Sequence, residues 1–264
     1  MAFSLLNNLV IHWAERGPSD APAIVFANSL GTDFRIWDDV AARLGTRWRI
    51  VLHDKRGHGL SDAPAGPYSI DDHTDDLLAL TDRLGLGRFA LVGLSIGGLI
   101  AQNLALRAPE RLAALVLADT AAKIGTADSW AARIDAVRNG GLAPIADAVM
   151  ERWFTPNFRD TRPVDLAGWR NLLLRTPPQG YVGSCAAIRD TDLTERICTI
   201  AAPTLVVAGD QDLSTPPDLV RATADRIPGA RFETIASCGH IPPVEQPAAL
   251  AALIARHLEE NGHV

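Results

Sequence analysis

Cysteine, tyrosine and methionine are scarce in this chain, with three, two and two copies among 264 residues. The cysteines, Cys185, Cys198 and Cys238, form no C-x-x-C pair, which removes the usual signal for a dithiol or a thiolate metal site. Their odd number suits a reducing compartment, and the expectation is small buried or semi-buried thiols. Positive charge is also short: the net charge is −6, which argues against nucleic acid as the main partner. No apolar run reaches the ~18 residues of a membrane span. Met1 to Trp13 carries no basic residue ahead of its apolar positions, and Asn7-Asn8 interrupts it, so no signal peptide is expected. The expected location is cytoplasmic. The sequence gives no oligomeric state.

What is present is a succession of short apolar runs, each bounded by Gly, Pro or Asp. They are Ile24–Ala27, Ile50–Leu52, Phe89–Val92, Leu115–Ala118, Leu205–Ala208 and Phe232–Ile235. Near-continuous apolar strands suit a parallel sheet covered on both faces. Helical patterns lie between them, at Ile70–Leu84, Ile96–Arg107, Pro217–Ile227 and Pro247–Leu258. The alternation predicts an α/β fold with a mostly parallel, doubly wound sheet. Phe3–Leu6 and Leu9–Ala14, around Asn7-Asn8, predict an antiparallel hairpin at one edge.

The alternation lapses between about Lys123 and Arg196. Helical patterns at Ser129–Val137, Leu142–Phe154, Leu166–Leu174 and Tyr181–Arg189 are broken there by Gly140-Gly141, Pro156, Pro163 and Pro177-Pro178. This predicts an inserted helical cap, residues 123–196, on a core of residues 1–122 and 197–264.

The most informative run is Phe89-Ala90-Leu91-Val92-Gly93-Leu94-Ser95-Ile96-Gly97-Gly98. It places Gly93-x-Ser95-x-Gly97 directly after a strand and directly before an apolar helix, the context of a nucleophile elbow. The bare pattern is expected about 0.06 times by chance in this composition, so the match is a signal. Gly59-Leu60-Ser61 begins alike but lacks the next Gly and the preceding strand. Ser95 is therefore the candidate nucleophile, placed where a helix N-terminus favours developing negative charge.

A serine needs a base within hydrogen-bond reach. In this arrangement the partners follow in the order Ser, acid, His. Of the seven histidines, that order leaves His240, His257 and His263. His257 and His263 are expected at the surface, in the last helix and the tail. His240 follows the last strand, at the sheet edge where open α/β folds bind ligands. The acid should follow the preceding strand, where Asp210 and Asp212 both stand. Asp212 reaches further over the edge and is preferred; Asp210 is the alternative, more often a turn former. The acid's task is to hold the imidazole tautomer and stabilise the imidazolium. Oxyanion donors are expected from the backbone N–H of Ile96, after the nucleophile, and of Leu30, in Asn28-Ser29-Leu30-Gly31.

These residues resemble the α/β-hydrolase superfamily along the whole chain. Supporting stretches are Asp54-Lys55-Arg56-Gly57-His58-Gly59-Leu60-Ser61, Gly93–Gly97, Gly209–Asp212 and Gly239-His240. His53 and His58 read as structural. Many members carry His-Gly in the oxyanion loop, where this chain has Asn28-Ser29. Asn28–Asp33 with Trp37, Gly125 with Trp130 and Arg133, Glu151–Pro156 and Cys185–Asp190 are similar to the bacterial 3-oxoadipate enol-lactonases. That resemblance implies hydrolysis of a small anionic lactone through an acyl-enzyme, without metal or organic cofactor.

The substrate implied carries a free carboxylate, which when buried needs a cation or several donors. Trp130 and Arg133, at i and i+3, are the candidate binding pair, expected to present donors on one face of the first cap helix. Trp153 and Phe154 are expected to pack the cap or pocket wall. A general esterase, a non-heme haloperoxidase-like enzyme and a meta-cleavage C–C hydrolase share the triad. A non-catalytic receptor on the same fold is a further alternative. Metal-dependent lactonases need clusters such as H-x-H-x-D-H, absent here.

Overall fold

The computed structural model describes residues 1–264. Strand β1 (Ala2–Leu6) turns at Asn7-Asn8 into β2 (Leu9–Arg16), and both asparagines take positive φ. Asn tolerates that region better than most residues, which is why the pair serves as the turn. Then come β3 (Ala23–Ala27), α1 (Asp38–Leu44), β4 (Arg49–His53), α2 (Ile70–Arg83), β5 (Phe89–Leu94), α3 (Ile96–Arg107) and β6 (Leu112–Ala118). Five helices follow: α4 (Ala127–Gly140), α5 (Ala146–Trp153), α6 (Pro156–Thr161), α7 (Pro163–Leu174) and α8 (Pro178–Asp190). The chain closes with β7 (Thr204–Gly209), α9 (Pro217–Ala224), β8 (Arg231–Ile235), α10 (Pro242–Glu245) and α11 (Pro247–Glu260).

One sheet carries all eight strands in the order β1-β2-β4-β3-β5-β6-β7-β8. Only the β1–β2 and β2–β4 pairings are antiparallel. Strands β3, β5 and β7 are buried at every position because helices cover both faces. The register aligns the strand ends: Ala27 sits opposite Gly93, Leu94 opposite Ala118, and Gly209 opposite Ile235. The loops after β3, β5, β6, β7 and β8 therefore open at one edge.

The prolines read as breakers between residues 156 and 178 in fact start helices. Pro156, Pro163 and Pro178 each occupy a first-turn position of α6, α7 and α8. A first-turn residue has no intrahelical N–H bond to lose, so proline is tolerated there. The expected single helix Leu142–Phe154 is a 3₁₀ turn at Ala143–Ile145 followed by α5. Helix α8 meets the loop after β4 backbone to backbone. A Cβ at Gly180 would stand 2.2 Å from the Gly57 carbonyl oxygen.

Two histidines expected at the surface are buried. His257 lies on the inner face of α11, with its Nε2 3.2 Å from the Pro203 carbonyl. The C-terminal tail folds back on β3: His263 Nε2 lies 2.9 Å from the Ala23 carbonyl, and its own carbonyl accepts from Trp48 Nε1 at 2.8 Å. Of the cysteines, Cys185 and Cys238 are buried, whereas Cys198 is exposed.

Candidate active site

Ser95 sits between β5 and α3 with φ of +58° and ψ of −117°. A non-glycine residue held in such a region is strained and persists only when its surroundings enforce it. Here the enforcement is visible. Ser95 N–H donates to the Ala118 carbonyl at 3.0 Å, and the Ser95 carbonyl accepts from Thr120 Oγ1 at 2.7 Å. The glycines give the turn its room. A Cβ at Gly93 would lie 2.3 Å from the Gly97 carbonyl oxygen. One at Gly97 would lie 2.0 Å from the Ala27 carbonyl oxygen, at the end of β3.

His240, in the loop after β8, is buried and places Nδ1 2.8 Å from Asp212 Oδ2. Asp212, in the loop after β7, accepts further from Ser214 N–H at 2.6 Å, Thr215 N–H at 3.2 Å and Thr215 Oγ1 at 2.7 Å. Burial pushes its carboxyl pKa up, but the neighbouring His240 and these donors outweigh burial and hold it below the ordinary range. Nδ1 is thereby engaged and Nε2 is left for a reacting group. No hydrogen bond joins Ser95 to His240, but both face one cavity. Catalytic contacts of this kind commonly close only around a substrate. Asp210 takes a structural position instead: its Oδ1 accepts from the Cys238 N–H at 3.0 Å.

The cavity has about 150 Å³ of open space. Leu30, Ser95, Trp130, Arg133 and His240 line it, together with Arg152, Trp153, Tyr181 and Ser214. Ile96 opens α3 directly after Ser95, and first-turn N–H groups have no partner within a helix. The structure thus brings every candidate residue to one place.

Trp130 plays a different part from the one expected. Its indole N–H donates to the Ile124 carbonyl at 2.7 Å, so it offers a ring face and no donor. The Arg133 guanidinium lies 5.3 Å from that ring's centroid, a cation–π distance. Neither Arg133 nor Arg152 is paired with a protein carboxylate, and both border the cavity. Tyr181, buried beside Arg133, has its phenol pKa pushed up by burial.

The loop after β3 is braced by Asn28 within it and by Lys55 and His58 from the loop after β4. Gly31 N–H donates to His58 Nε2 at 2.9 Å. Lys55 Nζ donates to the Ser29 carbonyl at 2.6 Å. Asn28 Nδ2 donates to the Thr32 carbonyl at 2.6 Å. Burial lowers the Lys55 pKa to about 7, against the pull of Asp54 and Asp33. His58 lies well below its ordinary range because it is buried and faces Lys55. A neutral His58 is what the Gly31 contact requires, since only an unprotonated nitrogen accepts.

A second acid also escaped the sequence reading. Asp119, immediately after β6, is fully buried, and its carboxyl lies within 4.8 Å of both Asp212 and His240. Three such groups are a spacing that a cation can exploit, but Nδ1 and Oδ2 are already in direct contact.

The α/β hydrolase fold family model matches residues 22–247. The 3-oxoadipate enol-lactonase 2 of Acinetobacter baylyi is 37% identical over 92% of this chain and 91% of its own length. The crystal structure of the enol-lactonase from Burkholderia xenovorans LB400 superposes with a TM-score of 0.95, at 37% identity, covering 98% of this chain and 100% of that one. A thermophilic esterase from Thermogutta terrifontis superposes with a TM-score of 0.93 at 27% identity, covering 100% and 99%. No helix is long and apolar enough to cross a membrane. The elbow, the sheet topology and these likenesses agree: the chain belongs to the α/β-hydrolase fold family and is a hydrolase.

Proposed function

We propose that this hydrolase opens the ring ester of 3-oxoadipate enol-lactone, giving 3-oxoadipate, with Ser95, His240 and Asp212 as its triad. The observation that carries the reading is one small cavity holding Ser95, His240 and two arginines without carboxylate partners. In this reading residues 123–196 are a cap that supplies the substrate-binding groups.

Ser95 Oγ attacks the lactone carbonyl carbon while its proton passes to His240 Nε2. The oxyanion of the tetrahedral intermediate accepts from the N–H groups of Leu30 and Ile96; one such donor is typically worth ~3 kcal/mol. The intermediate collapses by breaking the ring C–O bond. The departing enol oxygen takes the proton from His240, and the enol tautomerises to the ketone. Water, giving its proton to His240, then attacks the acyl-enzyme carbonyl; the bond to Ser95 Oγ breaks, Oγ takes the proton back from His240, and the second carboxylate is released. Asp212 holds Nδ1–H throughout and stabilises the imidazolium. Arg133 and Arg152 meet the free carboxylate, the first steadied by the Trp130 ring.

A general esterase would use the same triad, and the T. terrifontis likeness keeps that reading in view. The arginines favour an anionic substrate. The test compares kcat/KM on the enol-lactone with that on neutral esters of similar size, in the wild type and in Ser95→Ala. The expected result is a strong preference for the lactone and no turnover in Ser95→Ala. Equal rates on both substrates, or turnover in the variant, would overturn the proposal.

A further inference from the structure

Asp119 is a buried acid at the sheet edge, beside Asp212 and His240, for which the triad has no use. Its backbone has φ of +43°, a region uncommon outside glycine but one that aspartate enters more readily than most residues. Its N–H donates to the Val207 carbonyl at 2.8 Å, and its Oδ1 accepts from the Gly209 N–H at 2.8 Å. These contacts fix the carboxyl at the start of the turn that presents Asp212. Its other oxygen, Oδ2, is fully buried and accepts from no donor in the chain. An ionised carboxylate oxygen left so would be costly. A protonated one facing Asp212 has an acceptor ready.

We infer that Asp119 is a proton-bearing second acid of the site, donating its carboxyl proton to Asp212 and able to replace it as the partner of His240. The inference rests on the triad reading above and extends it. Facing Asp119 are Asp212 from the loop after β7, His240 and Cys238 from the loop after β8, and Glu245 from α10. Every one except the imidazole is an acid or a thiol. Burial, and then the Asp212 charge, push the Asp119 carboxyl well above its ordinary range, while the Gly209 N–H opposes them only in part. Two carboxyls this close cannot both ionise, and the one holding the imidazole keeps the charge. Asp119 is a positioning residue here: it touches neither substrate nor Ser95. Its hydrogen bond fixes the oxygen that faces Nδ1. When the charge of Asp212 is removed, burial still opposes ionisation, but the like charge is gone and the imidazolium of His240 is left without a carboxylate, which favours the charged form of Asp119. It then ionises within 4.8 Å of the imidazole and takes up Nδ1–H.

The experiment is a double-mutant cycle read by pH profile. Asp119→Asn keeps an N–H donor but cannot ionise. Its kcat/KM should fall by less than about tenfold, with the acid limb of the profile unmoved. Asp212→Asn should lose about a hundredfold, because Asp119 takes over. The double variant should lose about ten-thousandfold, the cost of an unheld tautomer. A downward shift of the acid limb in Asp119→Asn would mean that a charge had been lost, and would overturn the inference. So would equal rates in Asp212→Asn and the double variant. Carboxyl ¹³C NMR provides a measurement that needs no Asp119 variant. One aspartate resonance should stay protonated at about pH 8 in the wild type and move to the carboxylate position in Asp212→Asn. Its absence in the wild type sinks the proposal. Turnover surviving in Ser95→Ala would instead sink the triad reading, with the resonance still reporting on Asp119 alone.

Discussion

Gly97→Ala is the sharpest perturbation the structure offers, since it adds one methyl group at the junction of nucleophile and oxyanion loop. The new Cβ would stand 2.0 Å from the Ala27 carbonyl oxygen and 2.6 Å from its carbon. Non-bonded Cβ atoms essentially never approach closer than 3.0 Å, so α3 and the end of β3 must part by about 1 Å. Overpacking of this kind costs about 1–3 kcal/mol of stability. The larger effect is geometric. Ala27 leads into the loop carrying Leu30, and Gly97 follows Ile96, so the two N–H groups proposed as oxyanion donors separate by that same displacement. Misplacement by about 1 Å costs roughly a hundredfold in rate. The assay is kcat on the enol-lactone beside the thermal midpoint. Gly168→Ala serves as the control. Gly168 is exposed in the interior of α7, and a Cβ there meets nothing within 4 Å. Adding a methyl at such a helix position gains about 0.5–1 kcal/mol. The control should raise the midpoint and leave kcat alone. Gly97→Ala with kcat within about threefold of wild type would refute the claim that this contact sets the oxyanion geometry.

Arg152→Ala and Arg133→Ala should each raise KM for the anionic lactone by roughly tenfold or more, and change a neutral ester much less. Equal effects on both substrates would remove that arginine from carboxylate recognition. Lys55→Met removes the donor to the Ser29 carbonyl while filling its space with an apolar chain. kcat should fall about tenfold or more through the loop, while urea unfolding changes little, because a buried ammonium repays its desolvation poorly. An unaltered kcat would show that the brace is dispensable. Three buried imidazoles, His53, His58 and His73, set an acid limit. Burial lowers all three, His53 to about 4. Unfolded, they bind protons from about pH 6.5, so stability is complete above that value and drains away as pH falls towards about 4. By about pH 5 the loss from His53 alone should be about 2 kcal/mol, and His58 and His73 add to it in the same direction. Urea midpoints that match at pH 7.5 and 5 would contradict this.

The sheet and the elbow were legible because their chemistry is local. Gly93, Gly97 and the apolar run before them answer to steric limits that the chain itself imposes. Asp212 and His240 were legible by chain order and by distance past a strand. Asp119 was not, because an aspartate one residue past a strand reads as a turn former; only the register that sets β6 beside β7 brings it to Asp212. Arg152 was missed for a similar reason. Its cavity position depends on where α5 ends, and no turn or elbow announces that in sequence. His257 and His263 were misread because their partners, Pro203 ahead of β7 and Ala23 in β3, come from far along the chain. Trp130 lines the cavity, but not as the donor its position suggested, since its N–H is spent on the Ile124 carbonyl.

The histidine loop is bound to the helical region as well as to the sheet. His240 N–H donates to the Trp153 carbonyl at 2.9 Å. Glu245, at the end of α10, accepts from Thr155 N–H at 3.0 Å and from Gly239 N–H at 2.8 Å. Burial raises the Glu245 carboxyl, and these donors partly offset it. For anyone building chimaeras between relatives, the unit of exchange is therefore discontinuous. Helices α4–α8 have to travel with residues 237–246, or the graft will inherit one parent's specificity and neither parent's base.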